Sequence, residues 1–337
     1  MANDTMMRDS SMACLACGTR VIGPYCYYCG QKNDDCRRSI FRLAAETLTD
    51  TAALDGRFAR TARQTLTRPG SHVRQYADGR RSPFTPPIRY FLVVSFLFFT
   101  TLWLTDRHLL VIQPIVLDEA IEEQPIEIDP ALSDIDAAAA VLSELEAADG
   151  VPKLDFYGGF LMEAKDMSYT EEQIAWFEQR LSDSVFEFNG TTLSGPRFTN
   201  AVLGTAQNPA AFNNALNGWI PRLMILFIPF MALLGTIFIR GRDALIYDHL
   251  LLSIQTHAFG FVVMTLSLWT SRFLPPEVGP TAFFLGVPFY YLMGLRGAFK
   301  RSWRKSIVAT VFVTVVYGIT YTIALLVAGV ASFVEIV

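Results

Sequence analysis

The chain has 337 residues, of which 51% are hydrophobic and 13% aromatic, a size that accommodates two or three structural units. Its small net charge of −4 conceals two opposite blocks: residues 1–87 carry 13 basic and 8 acidic side chains (net +5), whereas residues 105–218 carry 5 and 20 (net −15). Such a contrast between blocks indicates a membrane topology before it indicates a charged partner. The N-terminus is polar, with no apolar run before residue 88, so we expect no cleaved signal peptide.

Four of the five cysteines form two CxxCG motifs near the N-terminus, at Cys14, Cys17, Cys26 and Cys29. Two residues between thiolates let both sulfurs face one ion, and the glycine after each pair relieves a tight turn. With eight residues between the pairs, the spacing predicts a minimal zinc ribbon with a closed, structural Zn²⁺ site, in preference to a redox or iron–sulfur site. Cys36 is predicted to be a spare thiol rather than a replacement ligand.

Residues 1–36 are therefore predicted to be a disordered leader followed by the ribbon. A ribbon this small has almost no core, so the metal should supply most of its folding free energy. Because four thiolates leave no open coordination position, the ribbon is expected to dock another molecule or to brace the fold. It lacks a basic run, so a protein partner is favoured over nucleic acid.

Residues 37–87 are predicted to be a cytoplasmic amphipathic, juxtamembrane segment. Apolar side chains recur with helical period from residue 40 to residue 66, and arginines occupy the other faces. One interpretation places this segment in the anionic headgroup layer of the lipid bilayer. The other interpretation is a solvated helix that packs on the ribbon or on cytoplasmic loops. Pro69-Gly70 interrupts the pattern, and the prolines up to Pro87 stiffen the approach to the membrane.

Five apolar stretches predict an all-α membrane protein with about five transmembrane helices, at residues 88–104, 219–239, 250–269, 281–295 and 306–334. The first stretch is short, so it is expected either to extend to about Ile112 or to be helped by Arg89 and Arg107 reaching the two interfaces. The fourth contains Gly286, Pro288 and Gly294, and we expect a kinked or irregular helix there.

The short loops predict the orientation. Basic residues occur between the second and third spans and between the fourth and fifth, at Arg240, Arg242, Arg296, Lys300, Arg301, Arg304 and Lys305. With the basic N-terminal block, they predict a cytoplasmic N-terminus in a bacterial inner membrane, and an extracytoplasmic C-terminus. The acidic block 105–218 then lies outside. It is predicted to be a small, mostly helical domain, with helices that begin near Asp129, Thr170 and Asn208, the last continuing into the second span.

The third span carries a polar stripe on one helical face. His249, Ser253 and His257 recur at steps of four, and the two histidines lie about 12 Å apart along the axis, too far to share one metal unaided. Each is expected to face groups on other spans, which gives a candidate intramembrane polar site of Asp248, His249, Ser253, His257, Tyr317 and Tyr321. Three roles are open: hydrogen bonds between helices, a proton or substrate pathway, and a heme or second metal site, of which the last is not expected. His72 and His108 are predicted to be surface residues.

The sequence contains no phosphate-binding loop, no serine-hydrolase elbow and no HExxH motif, so it identifies no catalytic residue. Two function classes remain. The first is a non-enzymatic inner-membrane scaffold, assembly or regulatory factor whose cytoplasmic ribbon docks a partner protein. The second is a small transporter, channel or membrane enzyme that works through His249 and His257. Five spans do not divide into two equal repeats, so the first class is favoured.

Several motifs resemble those of a known family, and they run from the ribbon into the third span: Cys14-x-x-Cys17-Gly18, Tyr25-Cys26-x-x-Cys29-Gly30-Gln31, Leu54-Asp55-x-Arg57-Phe58-x-x-Thr61, Arg68-Pro69-Gly70, Tyr76, Gly79-x-Arg81, Pro86-Pro87, Asn208-Pro209-x-x-Phe212, Pro221-Arg222-x-Met224, Pro229 and Tyr247-x-His249 with His257. The chain resembles an uncharacterised bacterial family of polytopic membrane proteins with an N-terminal four-cysteine zinc ribbon, a domain of unknown function. The resemblance covers roughly residues 14–104 and 205–300. It implies the multi-pass topology and the ribbon, and it implies no activity.

Overall fold

The computed structural model describes residues 13–33, 56–117, 153–162, 186–188, 191–193, 208–275 and 277–336, with single residues 171, 174, 175, 204 and 205 between them. By contacts the chain forms two units, residues 1–106 with 220–326 and residues 107–219 with 327–337. Several predictions lie outside the described residues. They concern the leader, Cys36, the amphipathic run before residue 56, and the helices expected from Asp129 and, for most of its length, from Thr170.

Five helices in the described part of the chain are long and apolar enough to cross a membrane, as predicted. Each predicted span lies almost wholly within one of them: α3 (Pro87–Leu104), α4 (Pro209–Phe238), α5 (Ile246–Thr270), α6 (Val278–Phe299) and α7 (Trp303–Ile336), which follow two short helices, α1 (Gly56–Thr67) and α2 (Ser71–Ala77). The shortest, α3, has 18 residues and reaches about 27 Å at 1.5 Å per residue, close to the thickness of the hydrocarbon layer. The fourth predicted span forms one continuous helix that includes Pro288.

The first span does not extend to Ile112. Helix α3 ends at Leu104, and Asp106 takes a left-handed φ of 50°, which breaks the helix. The apolar run that follows is a strand, β1 (His108–Leu117), paired antiparallel with β2 (Lys153–Met162). An apolar run of this length is compatible with either a helix or a strand by periodicity alone, and the strand partner lies about forty residues away along the chain.

The described part of the acidic block therefore differs from the mostly helical domain that was predicted. It contains β1 and β2 together with a second antiparallel pair, β3 (Phe186–Phe188) and β4 (Thr191–Leu193). The prediction of a helix that continues into the second span is confirmed, because α4 runs for 30 residues from Pro209. The Asn208 side chain accepts a hydrogen bond from the Ala211 N–H at 3.1 Å, as a helix N-cap does.

Two asparagines of α4 bind one edge of β1. Asn217 accepts from the Leu110 N–H at 3.1 Å and donates to the Leu110 carbonyl at 2.7 Å. Asn213, one turn earlier, accepts from the Ile112 N–H at 2.9 Å and donates to its carbonyl at 3.3 Å. Side-chain amides thus supply the pairing that a third strand would give, which covers an otherwise open strand edge.

Helices α1 and α2 form a hairpin that packs on the membrane helices, a position that neither interpretation of residues 37–87 anticipated. Helix α1 buries Thr61 and Thr65, and its arginines are exposed. Helix α2 buries His72, Val73, Tyr76 and Ala77. The buried apolar residues of α2 belong to one hydrophobic cluster with residues of α4, α5, α6 and α7.

The turn of this hairpin lies directly on α6. Gly70 has a φ of +78°, and a Cβ at that position would overlap the carbonyl oxygen of Gly294. A Cβ at Gly297 would in turn overlap the carbonyl oxygen of Pro69. The backbone of the hairpin turn therefore contacts the backbone of α6. Glycine at Gly70 and Gly297 permits this contact because it has no Cβ.

Candidate metal centre and intramembrane polar groups

The two CxxC motifs fold into two knuckles with the same hydrogen bonds. In the first, the Cys14 N–H donates to the Thr19 carbonyl at 2.8 Å and the Gly18 N–H donates to the Cys14 carbonyl at 2.8 Å. In the second, Cys26 and Gln31, and Gly30 and Cys26, make the equivalent bonds at 2.8 and 2.9 Å. Gly18 and Gly30 have φ values of 77° and 70°, the left-handed conformation that glycine accepts without steric cost.

These knuckles bring four sulfurs together. The four Sγ atoms all lie within 4.8 Å of one another, and two pairs across the knuckles are at 3.7 Å (Cys14 to Cys29) and 3.6 Å (Cys17 to Cys26). A tetrahedral ion with metal–sulfur bonds of about 2.3 Å places its thiolates about 3.8 Å apart. The tetrad therefore fits a four-coordinate metal ion, and no disulfide joins these cysteines.

The cysteines differ in their acidity. Hydrogen bonds with the Thr19 side chain and backbone lower the pKa of the Cys17 thiol to about 6, whereas burial raises the pKa of the Cys29 thiol to about 11. Metal binding requires all four as thiolates, so it displaces protons from the less acidic members. Metal affinity should therefore fall as the pH falls.

All three tyrosines of the ribbon and one isoleucine are exposed. The side chains of Ile22, Tyr25, Tyr27 and Tyr28 are 75%, 59%, 71% and 76% exposed. Only Cys14, Val21 and Cys26 form a buried cluster within the ribbon. These four exposed side chains, which we call the aromatic tip, lie on the loop between the cysteine pairs and within the second pair.

His249 joins α5 to the end of α4. Its Nε2 donates to the Ile239 carbonyl at 2.9 Å, so in the neutral imidazole Nδ1 is an acceptor. The ring stacks on Phe299, with ring centroids 4.5 Å apart. A Cβ at Gly235 would lie 2.7 Å from Nδ1 and 2.9 Å from the Tyr291 hydroxyl. Gly235 thus allows both side chains to approach α4 closely.

His257 joins α5 to α7. Its Nδ1 donates to the Ser253 carbonyl at 2.8 Å, and its Nε2 accepts from the Tyr317 hydroxyl at 2.9 Å. The Tyr317 ring stacks on Tyr321, and Phe227 meets both rings edge-on at 5.2 and 5.1 Å. Both imidazole nitrogens therefore carry hydrogen bonds, one within α5 and one to α7.

The remaining predicted residues also make bonds within or between helices. The Ser253 hydroxyl donates to the Ile228 carbonyl of α4 at 2.7 Å. The Asp248 carboxylate accepts from the Leu245 N–H at 3.0 Å, which satisfies a free donor at the start of α5 and places negative charge at the helix N-terminus. Ser253, His257, Tyr317 and Tyr321 therefore lie together between α5 and α7, with the Ser253 hydroxyl 3.5 Å from the His257 Nδ1, whereas Asp248 and His249 lie at the start of α5.

A further polar contact, which was not predicted from the sequence, joins α1 to two membrane helices. Gln255 donates to the Thr65 hydroxyl at 3.2 Å, and the Tyr290 hydroxyl donates to the Thr65 carbonyl at 2.9 Å. The Tyr290 ring stacks on Phe259 with centroids 3.9 Å apart. A glutamine within an apolar span was the available signal, since such a side chain needs a partner.

His72 was predicted to be a surface residue and is instead buried, at 2% exposure. Its ring lies edge-on to Phe84, 4.8 Å between centroids, and its Nε2 has no hydrogen-bond partner among the described residues. Burial lowers the pKa of His72 to about 4. The helix that carries it was read as an interfacial segment, so its burial against other elements was not foreseen.

Comparison with known proteins finds one similarity. A family model described as "Protein of unknown function (DUF3667)" matches residues 55–99, which comprise α1, α2, the loop between α2 and α3, and most of α3. No curated protein matches the chain, and no solved structure matches it. This similarity, the cysteine tetrad positioned for a metal ion and the five apolar helices fit an uncharacterised membrane-protein family.

Proposed function

We propose that this chain is a non-enzymatic scaffold, assembly or regulatory factor of the bacterial inner membrane, and that its cytoplasmic zinc ribbon docks a partner protein. The observation that carries the proposal is the aromatic tip, in which Tyr27 and Tyr28 are 71% and 76% exposed on a ribbon whose four sulfurs face one another. Tyrosines are among the residue types that contribute most to protein–protein affinity.

Zinc is the metal that the ligand set favours. Four cysteine sulfurs that lie within 4.8 Å of one another are an all-sulfur ligand set, the kind that tetrahedral structural zinc sites use. When bound, the ion supplies folding free energy to the ribbon and no open coordination position for a substrate. Cys14, Cys17, Cys26 and Cys29 would hold it.

Contacts among the basic segments support the proposed cytoplasmic face. Arg301, between α6 and α7, donates to the Asp243 carboxylate, between α4 and α5, at 2.6 Å. This pairing lowers the pKa of Asp243. Arg74 of α2 donates to the Asp243 carbonyl at 3.2 Å. Both basic loops and the N-terminal hairpin therefore meet, as segments on one side of a membrane can, and the positive-inside rule assigns that side to the cytoplasm.

The second function class, transport or catalysis through His249 and His257, finds less support in the geometry. Both ring nitrogens of His257 and the Nε2 of His249 are bonded to groups on the same or neighbouring helices. A histidine that binds a metal or carries protons in a pathway needs a nitrogen that faces the ion or the pathway. The bonds observed favour a structural role.

The experiment is site-specific photo-crosslinking in cells from position 28, with position 303 as the control because Trp303 is also exposed, at 51%, and lies at the start of α7. We expect one protein adduct from position 28 and not from position 303. The captured protein should then bind the purified chain, and Tyr27→Ala with Tyr28→Ala should weaken binding at least tenfold while the metal content stays unchanged. Adducts only to lipid, or binding unaffected by both substitutions, would contradict the docking role.

A further inference from the structure

The ribbon contacts the loop between α2 and α3, residues 78–86, mainly through hydrogen bonds of the Gln31 side chain. The Gln31 amide nitrogen donates to the Gly79 carbonyl, and its oxygen accepts from the Arg81 N–H at 3.0 Å and the Ser82 N–H at 3.1 Å. Leu15 of the first knuckle also lies against Gly79, whose φ is +90°. A single glutamine thus satisfies three backbone groups of a segment that is about fifty residues away along the chain.

The position of Gln31 depends on the second knuckle. It directly follows Gly30, and its own carbonyl accepts the Cys26 N–H at 2.8 Å. That bond belongs to the turn that brings the Cys26 and Cys29 sulfurs into the tetrad. In a ribbon with so few buried side chains, the turn is stable only when the metal holds it.

The loop that Gln31 binds is connected to three further elements. The Thr85 N–H donates to the Thr61 hydroxyl of α1 at 3.0 Å. The Arg81 guanidinium lies 5.0 Å from the centroid of the Tyr76 ring of α2 and donates to the Tyr247 hydroxyl of α5 at 3.4 Å. Helix α3 then begins at Pro87. Residues 79–82 thus belong to a loop that is hydrogen-bonded to α1 and α5, packs on α2 and leads into the first membrane helix.

We propose that the ribbon is a metal-dependent clasp: metal binding fixes Gln31, Gln31 fixes residues 79–82, and the metal state of the ribbon thereby controls the order of the α2–α3 loop. This inference rests on the metal binding in the proposed function and is independent of the partner protein. It gives the ribbon a second role, in which gain or loss of the ion changes the order of the loop that leads into the first membrane helix.

The test is hydrogen–deuterium exchange of the Arg81 and Ser82 amides in full-length protein purified in detergent, with zinc content measured on the same samples. Gln31→Ala removes all three bonds and leaves the four cysteines unchanged. We expect about a tenfold faster exchange of the two amides at unchanged metal content, the loss that corresponds to one net hydrogen bond. Chelation of the ion from the wild type should give the same increase.

Two matched variants separate the clasp from general loosening of the ribbon. Gln31→Glu keeps an acceptor for both N–H groups but puts a carboxylate oxygen against the Gly79 carbonyl, so exchange of the two amides should lie between that of the wild type and that of Gln31→Ala. Tyr28→Ala alters an exposed side chain of the same knuckle and should change nothing at residues 81 and 82. If Gln31→Ala itself loses the ion, the proposal is tested by comparing the exchange of the Arg81 and Ser82 amides in the chelated wild type with that in Gln31→Glu.

Protection that survives Gln31→Ala with the ion bound, or that survives removal of the ion from the wild type, would overturn the clasp and leave the proposed function intact. A full-length protein that binds no metal would overturn both the clasp and the zinc site. The metal measurement on each sample distinguishes these two failures.

Discussion

The ribbon and the membrane helices reach a fixed geometry in different ways. In the ribbon, four sulfurs converge through knuckle turns whose bonds span at most five residues, and few side chains are buried. In the membrane helices, the groups that bond to one another are far apart along the chain, as Thr65 is from Gln255 and from Tyr290. The fold of the ribbon therefore depends on a bound metal ion, whereas the fold of the membrane helices depends on packing. We expect that each region can unfold while the other keeps its secondary structure.

Removal of the metal should have the largest effect and should be confined to the ribbon and the loop it binds. Structural zinc contributes about 10–16 kcal/mol in small zinc-binding peptides, more than the ribbon's buried side chains can replace. After chelation, the Gly18 and Gly30 amides should exchange freely, while amides within α5 stay protected. Hydrogen–deuterium exchange on the full-length protein measures both, and loss of protection in α5 would contradict the separation of the two regions.

Gly297→Ala should have the largest effect on the helices. A Cβ there would overlap the Pro69 carbonyl oxygen, and because both groups are backbone neither can turn aside. We expect a loss of about 3 kcal/mol or more in the free energy of unfolding, with zinc content unchanged. Gly286→Ala is the matched control, since a Cβ at Gly286 on the same helix meets nothing within 4 Å. Equal melting temperatures for the two variants would contradict the contact between the hairpin turn and α6.

Acidification should destabilise the hairpin through His72. Its folded-state pKa of about 4 lies below the unfolded value of 6.5, so between these pH values the unfolded chain binds more protons, and stability falls as the pH falls. From pH 7.5 to pH 5.5 the loss should be about 1 kcal/mol. Thermal unfolding of the wild type and of His72→Phe across this range measures it. A pH dependence identical in both proteins would show that His72 does not titrate on unfolding.

Tyr317→Phe should have the smallest effect of the four. It deletes the hydroxyl that donates to the His257 Nε2 at 2.9 Å and leaves the stacked ring in place. Hydrogen bonds between membrane helices contribute about 0.6 kcal/mol on average, so the melting temperature should fall by only a few degrees. Tyr321→Phe is the control, because no described residue bonds to its hydroxyl. A larger loss of cellular function than of stability would favour the pathway role for His257.

The difference between local and long-range interactions also explains which features could be predicted from the sequence. The cysteine tetrad depends on local spacing, and the membrane helices depend on the length of their apolar runs, so both were predicted. The strand from His108 was not, because its partner β2 lies beyond a long intervening segment and the apolar run alone resembles an extension of α3. The strand assignment requires the tertiary pairing.

The same limit explains the residues that were missed. Gln31 was noted only as part of a motif, because nothing local indicates that its amide binds residues 79–82. Gly294 was read as a possible kink in the fourth span, whereas in the structure it accommodates Gly70 of the hairpin turn. In both cases the residue type was visible in the sequence, and its role depends on a partner that only the folded chain brings near.

The metal content of the purified full-length protein distinguishes a metal site in the ribbon from one among the membrane helices, and it should be determined for the wild type, Cys26→Ser, His249→Ala and His257→Ala. We expect one zinc ion per chain in the wild type and in both histidine variants, and none in Cys26→Ser. A metal or heme that remains in Cys26→Ser and disappears from either histidine variant would place the chemistry within the membrane helices and contradict the scaffold with a structural zinc ribbon.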